Sequence, residues 1–428
     1  MKIRLLLLIL PFSLVSHFSF SQAPTIEWQH SYGGSADDKA LSAIQTMDGS
    51  YMIAGSTESV DGDVLDNKVK LNCWVIKLFS NGNADWKKCL GGETAHQGNE
   101  IIQTKDWCYV VAGSTMLKDG NNTGVHGNDD YWITKFNSTF IPQWTRTYGG
   151  KADDVAKSIR GTRDGGFIVA GWGGIPGTNI TRNLGGNDFW IMKLNKQGSI
   201  KWQNSLGGSG MDNAAAAIQA GDDGYLAVGY SNSNNMNVTG NHGASDGWIV
   251  KTDSGGVIEW QKSIGGNGLD FIYSAELTKD KGFIFAGATE SNDGDVKGNH
   301  GKSDAWIIKT DSLGNMEWQK CIGGSNDDVA YSVQVTNDGG YIIAGKTDSN
   351  DGDVKGNYGG TDAWIIKLDE KGTMIWQKCL GGTKNDQAKT IRQTNDGGYI
   401  ISAFSNSADG DVTSNKGNYD YWIIKLKP

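Results

Sequence analysis

The chain has 428 residues, and its 39 Lys and Arg against 48 Asp and Glu give a formal net charge of −9 at pH 7. This acidic balance, without a cluster of basic residues, argues against a nucleic-acid partner and against anionic membrane surfaces. Glycine contributes 61 residues and proline only 5, so we expect the glycines to serve ordered turns rather than a disordered chain.

The first predicted element is a secretory signal peptide over residues 1–21. Lys2 and Arg4 precede a leucine-rich apolar run, and a Ser-Phe-Ser cleavage site ends at residue 21. The apolar run is too short for a membrane anchor, and no later segment is apolar enough to span a bilayer. We therefore expect a mature chain from about Gln22, in a periplasm or outside the cell.

After this segment, two tryptophans recur every 58 residues along the whole chain. The first series is Trp28, Trp86, Trp144, Trp202, Trp260, Trp318 and Trp376. The second series is Trp74, Trp132, Trp190, Trp248, Trp306, Trp364 and Trp422. A fixed period of this size indicates a repeat architecture.

Residues 325–382 illustrate one repeat. Four β-rich apolar runs predict strands over 329–336, 341–346, 363–368 and 373–379. Asp-Gly and Lys-Gly turns join the first strand to the second and the third to the fourth, because glycine adopts positive φ freely. A polar loop of about 16 residues joins the second strand to the third.

The two ends of the chain decide between a solenoid and a closed ring. Residues 26–32 supply only a fourth-type strand, and residues 383–428 supply the first three strands of a unit. Together they form one complete blade, which closes a ring and removes its exposed edges. The sequence therefore predicts an all-β, seven-bladed β-propeller with four antiparallel strands per blade, as a single domain over residues 22–428.

The register expected for the last hairpin of each unit places Trp376 opposite Ile366, on the same face as Trp364. We expect both tryptophan series to pack between blades. The same register places Cys73 opposite Cys89, which makes a disulfide between them a hypothesis for an oxidising compartment.

Two further tryptophans fall outside the series. Trp107 replaces a turn glycine, and Trp172 follows the second strand of its unit. Ordinary packing and an exposed sugar-stacking surface both explain such residues, and Trp172 is kept as a candidate ligand-binding residue.

The long loops and the Gly-Gly links that enter each first strand share one face of the predicted propeller, where we expect any site. Four of these loops contain Asp-Gly-Asp-Val, and their acids are candidate ligand-binding residues: Asp61, Asp63, Asp293, Asp295, Asp351, Asp353, Asp409 and Asp411. Closely spaced acids suit Ca²⁺, although the spacing differs from an EF-hand. A series of solvated turns explains the same pattern, and no other cofactor is predicted.

Other residues of this face are also candidates. An acid opens six of the seven first strands, either at the channel mouth or as a turn cap, at Asp38, Asp154, Asp212, Asp270, Asp328 and Asp386. His96 takes this position in the remaining unit, where we expect it to be exposed. In the long loops Asn299, His300, Asn357 and Tyr358 suit contacts to a sugar.

The repeat resembles that of a known group of secreted proteins. The strings Asp-Gly-Gly-Tyr-Ile-Ile-Ala-Gly (338–345) and Asp-Ala-Trp-Ile-Ile-Lys-Leu-Asp (362–369), followed by Trp-Gln-Lys, are similar to repeats in secreted proteins of the Bacteroidetes. The resemblance covers about residues 24–428 and implies a secreted propeller. Some of those proteins carry hydrolase labels.

Catalytic signatures are missing from the sequence. It contains no Ser-His-Asp order, no HExxH and no phosphate-cradling motif, and no unit carries an insertion. We therefore expect a non-catalytic binding or scaffold propeller that recognises a glycan or a protein through the long-loop face. The alternatives are a carbohydrate-active hydrolase that uses loop carboxylates, and a structural envelope protein.

Overall fold

The computed structural model describes residues 22–91, 95–116 and 127–428, so the predicted signal peptide lies outside the described residues. Within these ranges the chain forms 28 strands, arranged as seven four-stranded antiparallel sheets. In chain order the strands are β1 (Ile26–Tyr32), β2 (Asp38–Gln45), β3 (Tyr51–Thr57), β4 (Asn72–Leu78), β5 (Ala84–Cys89), β6 (His96–Gln103), β7 (Tyr109–Met116), β8 (Asp129–Phe136), β9 (Pro142–Tyr148), β10 (Val155–Gly161), β11 (Phe167–Gly173), β12 (Asp188–Leu194), β13 (Ile200–Leu206), β14 (Asp212–Gln219), β15 (Tyr225–Ser231), β16 (Asp246–Thr252), β17 (Ile258–Ile264), β18 (Asp270–Leu277), β19 (Phe283–Thr289), β20 (Asp304–Thr310), β21 (Met316–Ile322), β22 (Asp328–Val335), β23 (Tyr341–Thr347), β24 (Asp362–Leu368), β25 (Met374–Leu380), β26 (Asp386–Gln393), β27 (Tyr399–Ser405) and β28 (Asp420–Leu426).

The sheets form a closed ring of seven blades. Blades one to six each take four consecutive strands from β2 to β25, and blade seven combines β26, β27 and β28 with β1. The first strand of each blade contacts the first strand of the next, and β26 contacts β2, so these strands surround the central axis. In blade seven Tyr32 lies opposite Tyr421. The predicted seven-bladed propeller, closed by the N-terminal strand, is confirmed.

Tight turns fix the strand boundaries on one face of the ring. In blade six the Thr336 amide donates to the Gly340 carbonyl at 2.9 Å, and Asp338 Oδ1 accepts from the Gly340 amide at 3.0 Å. Gly339 has a φ of 90°, which favours glycine. Each of the four strands predicted for this unit begins and ends within about one residue of its observed limits.

The predicted register of the last hairpin was wrong by one residue. The Asp369 amide does donate to the Thr373 carbonyl at 2.9 Å, but a β-bulge follows between Lys367 and Leu368. Trp376 therefore lies opposite Lys367 and not opposite Ile366. Because one extra residue moves a side chain to the other face of a sheet, the two tryptophans of a blade point in opposite directions.

This arrangement gives every blade junction two tryptophans. Trp364 packs against blade five together with Trp318 of that blade, and Trp376 packs against blade seven together with Trp422. All seven tryptophans of the third strands are at most 3% exposed. The predicted packing of both tryptophan series between blades is therefore confirmed. Burying one such side chain contributes about 3 kcal/mol, so these contacts form the main core.

A hydrogen-bonded chain connects this core to the long loops. In blade six Trp364 Nε1 donates to Gln377 Oε1 at 2.8 Å, and Gln377 Nε2 donates to the Lys355 carbonyl at 3.0 Å. Trp306 and Gln319 repeat the first bond at 2.9 Å in blade five. Gln377, the glutamine of the Trp-Gln dipeptide, thus connects the buried Trp364 to the long loop.

The bulge also changes the expected cysteine pair. In blade one Cys89 lies opposite Trp74 rather than opposite Cys73. Cys73 belongs to the core between blades one and two, and Cys89 to the core between blades seven and one. The register on which the Cys73–Cys89 disulfide depended was wrong, and both residues are free thiols.

Candidate functional site

The acids of the long loops hold the Gly-Gly links in place. In blade six Asp351 Oδ1 accepts from the Ser325 amide at 2.8 Å, and Asp353 Oδ2 accepts from the Gly323 amide at 3.3 Å. A Cβ on Gly324 would lie 2.3 Å from Asp351 Oδ1, so the loop needs glycine at this position. Loop and link therefore form one hydrogen-bonded unit.

The other three Asp-Gly-Asp-Val loops repeat these bonds. The first acid of each accepts from a link amide, as in Ser35 to Asp61 at 2.7 Å, Asn267 to Asp293 at 2.8 Å and Thr383 to Asp409 at 2.8 Å. The second acid accepts from the first glycine of the link, as in Gly33 to Asp63 at 3.2 Å, Gly265 to Asp295 at 3.3 Å and Gly381 to Asp411 at 3.4 Å. Within the described ranges no three acidic, histidine or cysteine side chains are placed to hold one metal ion. Calcium stays a prediction for this face.

The two predicted asparagines have the same anchoring role. Asn357 Nδ2 donates to the Ser349 carbonyl at 3.0 Å, and its Oδ1 accepts from the Gly359 amide at 2.7 Å. Asn299 Nδ2 donates to the Thr289 carbonyl at 3.1 Å. Both side chains are therefore engaged in loop structure.

His300 and Tyr358 are more available to solvent. Tyr358 is 51% exposed, and the His300 side chain is 42% exposed with its Nδ1 2.6 Å from Asp304 Oδ2. Burial lowers the pKa of His300, but the hydrogen bond and charge of Asp304 outweigh it and raise the pKa overall. The two residues lie at one repeat position in neighbouring blades. His126, at the same position, lies outside the described residues.

The acids that open the first strands accept hydrogen bonds from the Gly-Gly links that precede them. Asp386 is fully buried, and its Oδ2 accepts from the Gly382 amide and from Ser407 Oγ, both at 2.8 Å. Of the two roles considered for this series, the capping role is the one observed. These acids do not reach the solvent of the channel mouth.

A second series of buried acids was missed in the sequence. In six of the seven blades an aspartate at the start of the third strand, such as Asp362, lies near the first-strand acid of the next blade. A Cβ on Gly381 would be 2.7 Å from Asp362 Oδ1 and 2.6 Å from Asp386 Oδ2. The same juxtaposition around a glycine recurs in five pairs: Asp420 and Asp38, Asp130 and Asp154, Asp188 and Asp212, Asp246 and Asp270, and Asp304 and Asp328. The signal in the sequence was an Asp two residues before six of the seven tryptophans of the third strands.

The remaining junction replaces both acids. Asn72 and His96 flank Gly91, and Asn72 Oδ1 accepts from the Gly91 amide at 2.7 Å. His96 is only 3% exposed, and its Nε2 lies 3.1 Å from Thr115 Oγ1. The expectation that His96 is exposed was wrong, because it fills the same buried position as the acids.

The central channel is where the blades differ from one another. Every first strand contains a β-bulge, at which one residue has no partner in the second strand. The seven bulged residues are Leu41, Asn99, Lys157, Ala215, Tyr273, Tyr331 and Lys389. Lys389 and Lys157 are bulged residues of innermost strands on opposite sides of the ring, and the charge of Lys157 contributes to the lowered pKa of Lys389. Bulges commonly re-aim a side chain, and here the bulged residues belong to the strands that surround the axis.

Aromatic side chains continue from this layer towards the long-loop face. Ring centroids are 5.6 Å apart for Tyr273 and Tyr331, 6.0 Å for Phe271 and Tyr273, and 4.8 Å for Tyr230 and Phe271. Lys389 Nζ lies 3.5 Å from the Tyr331 ring centroid. The row therefore runs through blades four to seven without a break.

The row then reaches the loop that precedes β28. Lys389 Nζ is 5.5 Å from the Phe404 ring, whose centroid lies 5.2 Å from that of Tyr419. Lys39 Nζ lies 5.1 Å from the Tyr419 ring. We call the set the channel-mouth cluster, which consists of Lys39, Tyr230, Phe271, Tyr273, Tyr331, Lys389, Phe404 and Tyr419.

Its lysines have different charge environments. Lys39 forms an ion pair with Asp37 at 2.7 Å. Among the described residues no carboxylate forms an ion pair with Lys389, and burial, followed by the charges of nearby lysines that include Lys157, lowers its pKa to about 7. The cluster thus offers aromatic faces next to a cation without a counter-ion, which suits an anionic ligand with flat apolar faces.

Trp172 was the only predicted site residue in this region. It is half-buried and occupies, in β11, the repeat position that Tyr230 and Phe404 occupy in their blades. The other members of the cluster were not predicted, because all of them except Tyr419 lie in strands rather than in loops. Comparison of residues 58 positions apart would have found Tyr273 and Tyr331, since Leu41 and Asn99 fill this position in blades one and two.

Comparisons with known proteins support no family assignment. No protein-family model matches the chain. The regulatory protein FlaEY of Caulobacter vibrioides is 26% identical over 146 residues, which are 32% of this chain and 15% of that protein. The chain thus matches a small part of that relative.

Solved structures with a similar overall course are distant in sequence. Sqt1 from Chaetomium thermophilum is 10% identical, with 95% of this chain and 100% of that chain covered and a TM-score of 0.48. BamB from Moraxella catarrhalis is 14% identical, with 94% and 88% covered and a TM-score of 0.41. The propeller assignment rests on the sheets of this chain itself. The described residues include no helix with the length and apolar character needed to cross a membrane.

Proposed function

We propose that this protein is a secreted, non-catalytic binding propeller that recognises an acidic glycan at the channel-mouth cluster. The observation that carries the proposal is the unbroken aromatic row that ends at Tyr331, with Lys389 Nζ 3.5 Å from its ring centroid. Secretion follows from the signal peptide predicted over residues 1–21.

The chemistry of the cluster favours a sugar that carries carboxylate or sulfate groups. Sugar rings present apolar C–H faces that pack on aromatic rings, and each such contact contributes about 1 kcal/mol. Lys389 and Lys157 supply positive charge at the centre of a chain whose overall charge is −9. Together these features favour acidic over neutral glycans.

The arrangement of the loop carboxylates favours binding over hydrolysis. A glycosidase needs two carboxyl groups in different environments, one as acid and one as base or nucleophile. Asp293 and Asp351 instead occupy equivalent positions in the repeat, and each carboxylate accepts a hydrogen bond from a backbone amide at 2.8 Å. The hydrolase alternative predicts that neutralising either residue abolishes cleavage of a polysaccharide, which an assay on purified polysaccharides measures.

A glycan array tests the proposal directly. We expect the mature protein to bind acidic oligosaccharides and to bind their neutral counterparts at least about tenfold more weakly. Tyr331→Ala and Lys389→Met should each reduce binding, whereas Val257→Ala, at a 67% exposed position in a tight turn, should not. Binding restricted to neutral glycans, or unchanged binding by both cluster variants, would refute the proposal.

A further inference from the structure

A second departure from ring symmetry lies on the opposite, tight-turn face. At four junctions the glutamine that ends a first strand accepts a hydrogen bond from a turn amide of the preceding blade. The bonds join Met47 to Gln103 at 2.8 Å, Arg163 to Gln219 at 2.8 Å, Asn337 to Gln393 at 2.9 Å and Asn395 to Gln45 at 2.8 Å. These glutamines close the gaps between adjacent turns.

Gly161 takes the place of this glutamine between blades two and three. The Lys105 amide, which corresponds to these four donors, therefore lacks the glutamine acceptor that they have, and only here is the position left without a side chain, since Leu277 and Val335 fill it at the other two junctions. A Cβ on Gly161 would meet no atom within 4 Å, and the space belongs to a cavity of about 760 Å³. Ile102, Ile218 and Leu277 contribute apolar walls. Its volume and apolar lining are typical of small-molecule sites.

The cavity is also strongly cationic. Five cationic side chains line it, Lys105, Lys135, Arg160, Arg163 and Lys196, against two anionic ones, Asp106 and Glu276. Lys135 is paired with Asp106 at 3.0 Å, and Arg160 and Arg163 also have carboxylate partners. Lys105 and Lys196 are exposed and form no ion pair with any described residue. Positive charge is thus left over here on a chain that is acidic overall.

An exposed tryptophan stands in the same turn as Lys105. Trp107 is 49% exposed and has a φ of 62°, whereas Gly49, Gly165 and Gly339 occupy this turn position in other blades. Asp223 and Lys281 occupy the same turn position at φ values of 69° and 68°, so this turn accepts side chains at positive φ. Trp107 thus presents an exposed indole ring two residues from Lys105, which lines the cavity.

We propose that this cavity binds a small anionic molecule with an apolar ring. The ring would occupy the space that Gly161 leaves open, and the anionic group would accept hydrogen bonds from the Lys105 amide and from the ammonium groups of Lys105 and Lys196. This cavity lies on the tight-turn face, whereas we expected any site on the long-loop face because the other face carries only tight turns. The site is independent of the proposed glycan site.

Two matched fluorescent probes test this inference on the mature protein. 1-Anilinonaphthalene-8-sulfonate carries the anionic group, and N-phenyl-1-naphthylamine has the same rings without it. We expect one sulfonate probe to bind per chain, with an affinity at least about tenfold higher than that of the uncharged probe. Equal affinity for the two probes would overturn the proposal, because the cations would then have no role.

Variants locate the bound probe. Gly161→Gln restores the residue found at four other junctions and should weaken binding of the sulfonate probe at least about tenfold, while Gly161→Ala should leave it within about twofold. The exposed double variant Lys105→Ala/Lys196→Ala should weaken binding about fivefold without affecting folding. Wild-type affinity in a folded Gly161→Gln protein, or in the double variant, would show that the probe binds elsewhere and would overturn the proposal.

Discussion

The carboxyl groups of Asp362 and Asp386, which belong to neighbouring blades, lie on the two sides of Gly381 and are fully buried. Burial, with a further contribution from the charge of Asp386, raises the pKa of Asp362 to about 7. Two buried carboxylates that flank one glycine repel each other when both are charged, so the pair is most stable when it retains a proton. Similar pairs occur at five other junctions, so we expect the stability of the ring to depend on pH.

We predict that the free energy of unfolding decreases as the pH rises from about 4 to about 7. Burial raises the pKa of Asp154 to about 7 and that of Asp188 to about 6, above the unfolded value of about 3.9. Between these values the buried aspartates bind more protons in the folded chain than in the unfolded chain, so they contribute less stability as the pH rises. Urea unfolding at pH 5 and pH 8 measures the difference. Greater stability at pH 8 would contradict this interpretation of the pairs.

Replacing one acid of a pair should stabilise the protein at high pH. We predict that Asp362→Asn raises the free energy of unfolding by about 1–2 kcal/mol at pH 8 and changes it little at pH 5. The fold accepts the substitution, because Asn72 occupies this position in blade one and accepts from the Gly91 amide at 2.7 Å. The control is Asp351→Asn. The Ser325 amide lowers the pKa of Asp351, so this variant should not gain stability at pH 8. Loss of stability in Asp362→Asn at pH 8 would be inconsistent with repulsion in the pair.

The glycine between two such acids should not tolerate a side chain. A Cβ on Gly381 would lie within 2.7 Å of both carboxyl groups, which are themselves fixed by hydrogen bonds. We predict that Gly381→Ala destabilises the protein by about 2–4 kcal/mol. Gly161→Ala places a methyl group in open space and should change the stability by less than about 0.5 kcal/mol. Thermal unfolding of both variants at one pH makes the comparison, and equal melting temperatures would contradict the prediction.

Binding of an acidic glycan should depend on the charge of Lys389. Because burial and the nearby lysines lower its pKa to about 7, the side chain loses its charge as the pH rises from 6 to 8. We predict that the affinity falls about tenfold over this range and that Lys389→Met removes most of the dependence. Calorimetric titrations at three pH values in buffers of different ionisation enthalpy also measure proton uptake on binding. An affinity that increases with pH would argue against a role for Lys389.

The period of the sequence was sufficient to predict the ring, but not the direction of individual side chains. Turn residues such as Asp338 and Gly339 fixed the strands of blade six to within about one residue. The bulge at Lys367 was missed, although Gly372, with a φ of 78°, is the kind of residue that ends a type I turn with a G1 bulge. That single residue reversed the face of Trp376 and separated the expected cysteine pair.

The site was harder to predict for a related reason. Tyr331 and Lys389 point towards the axis only because each is the bulged residue of an innermost strand. In the sequence they stand in strands with an ordinary alternating pattern, whereas the repeated acids of the loops form a pattern that suggests a site. Asp351 and Asp353 serve the backbone of their own blade, which spacing alone does not distinguish from ligand binding.

A crystal structure of the mature protein with a bound acidic oligosaccharide would test the proposed function most directly. We predict a sugar ring packed on Tyr331 and Tyr273, with a carboxylate or sulfate oxygen within hydrogen-bonding distance of Lys389 Nζ. A sugar bound only to the outer loops around His300 and Tyr358, or only to the tight-turn face, would contradict recognition at the channel-mouth cluster.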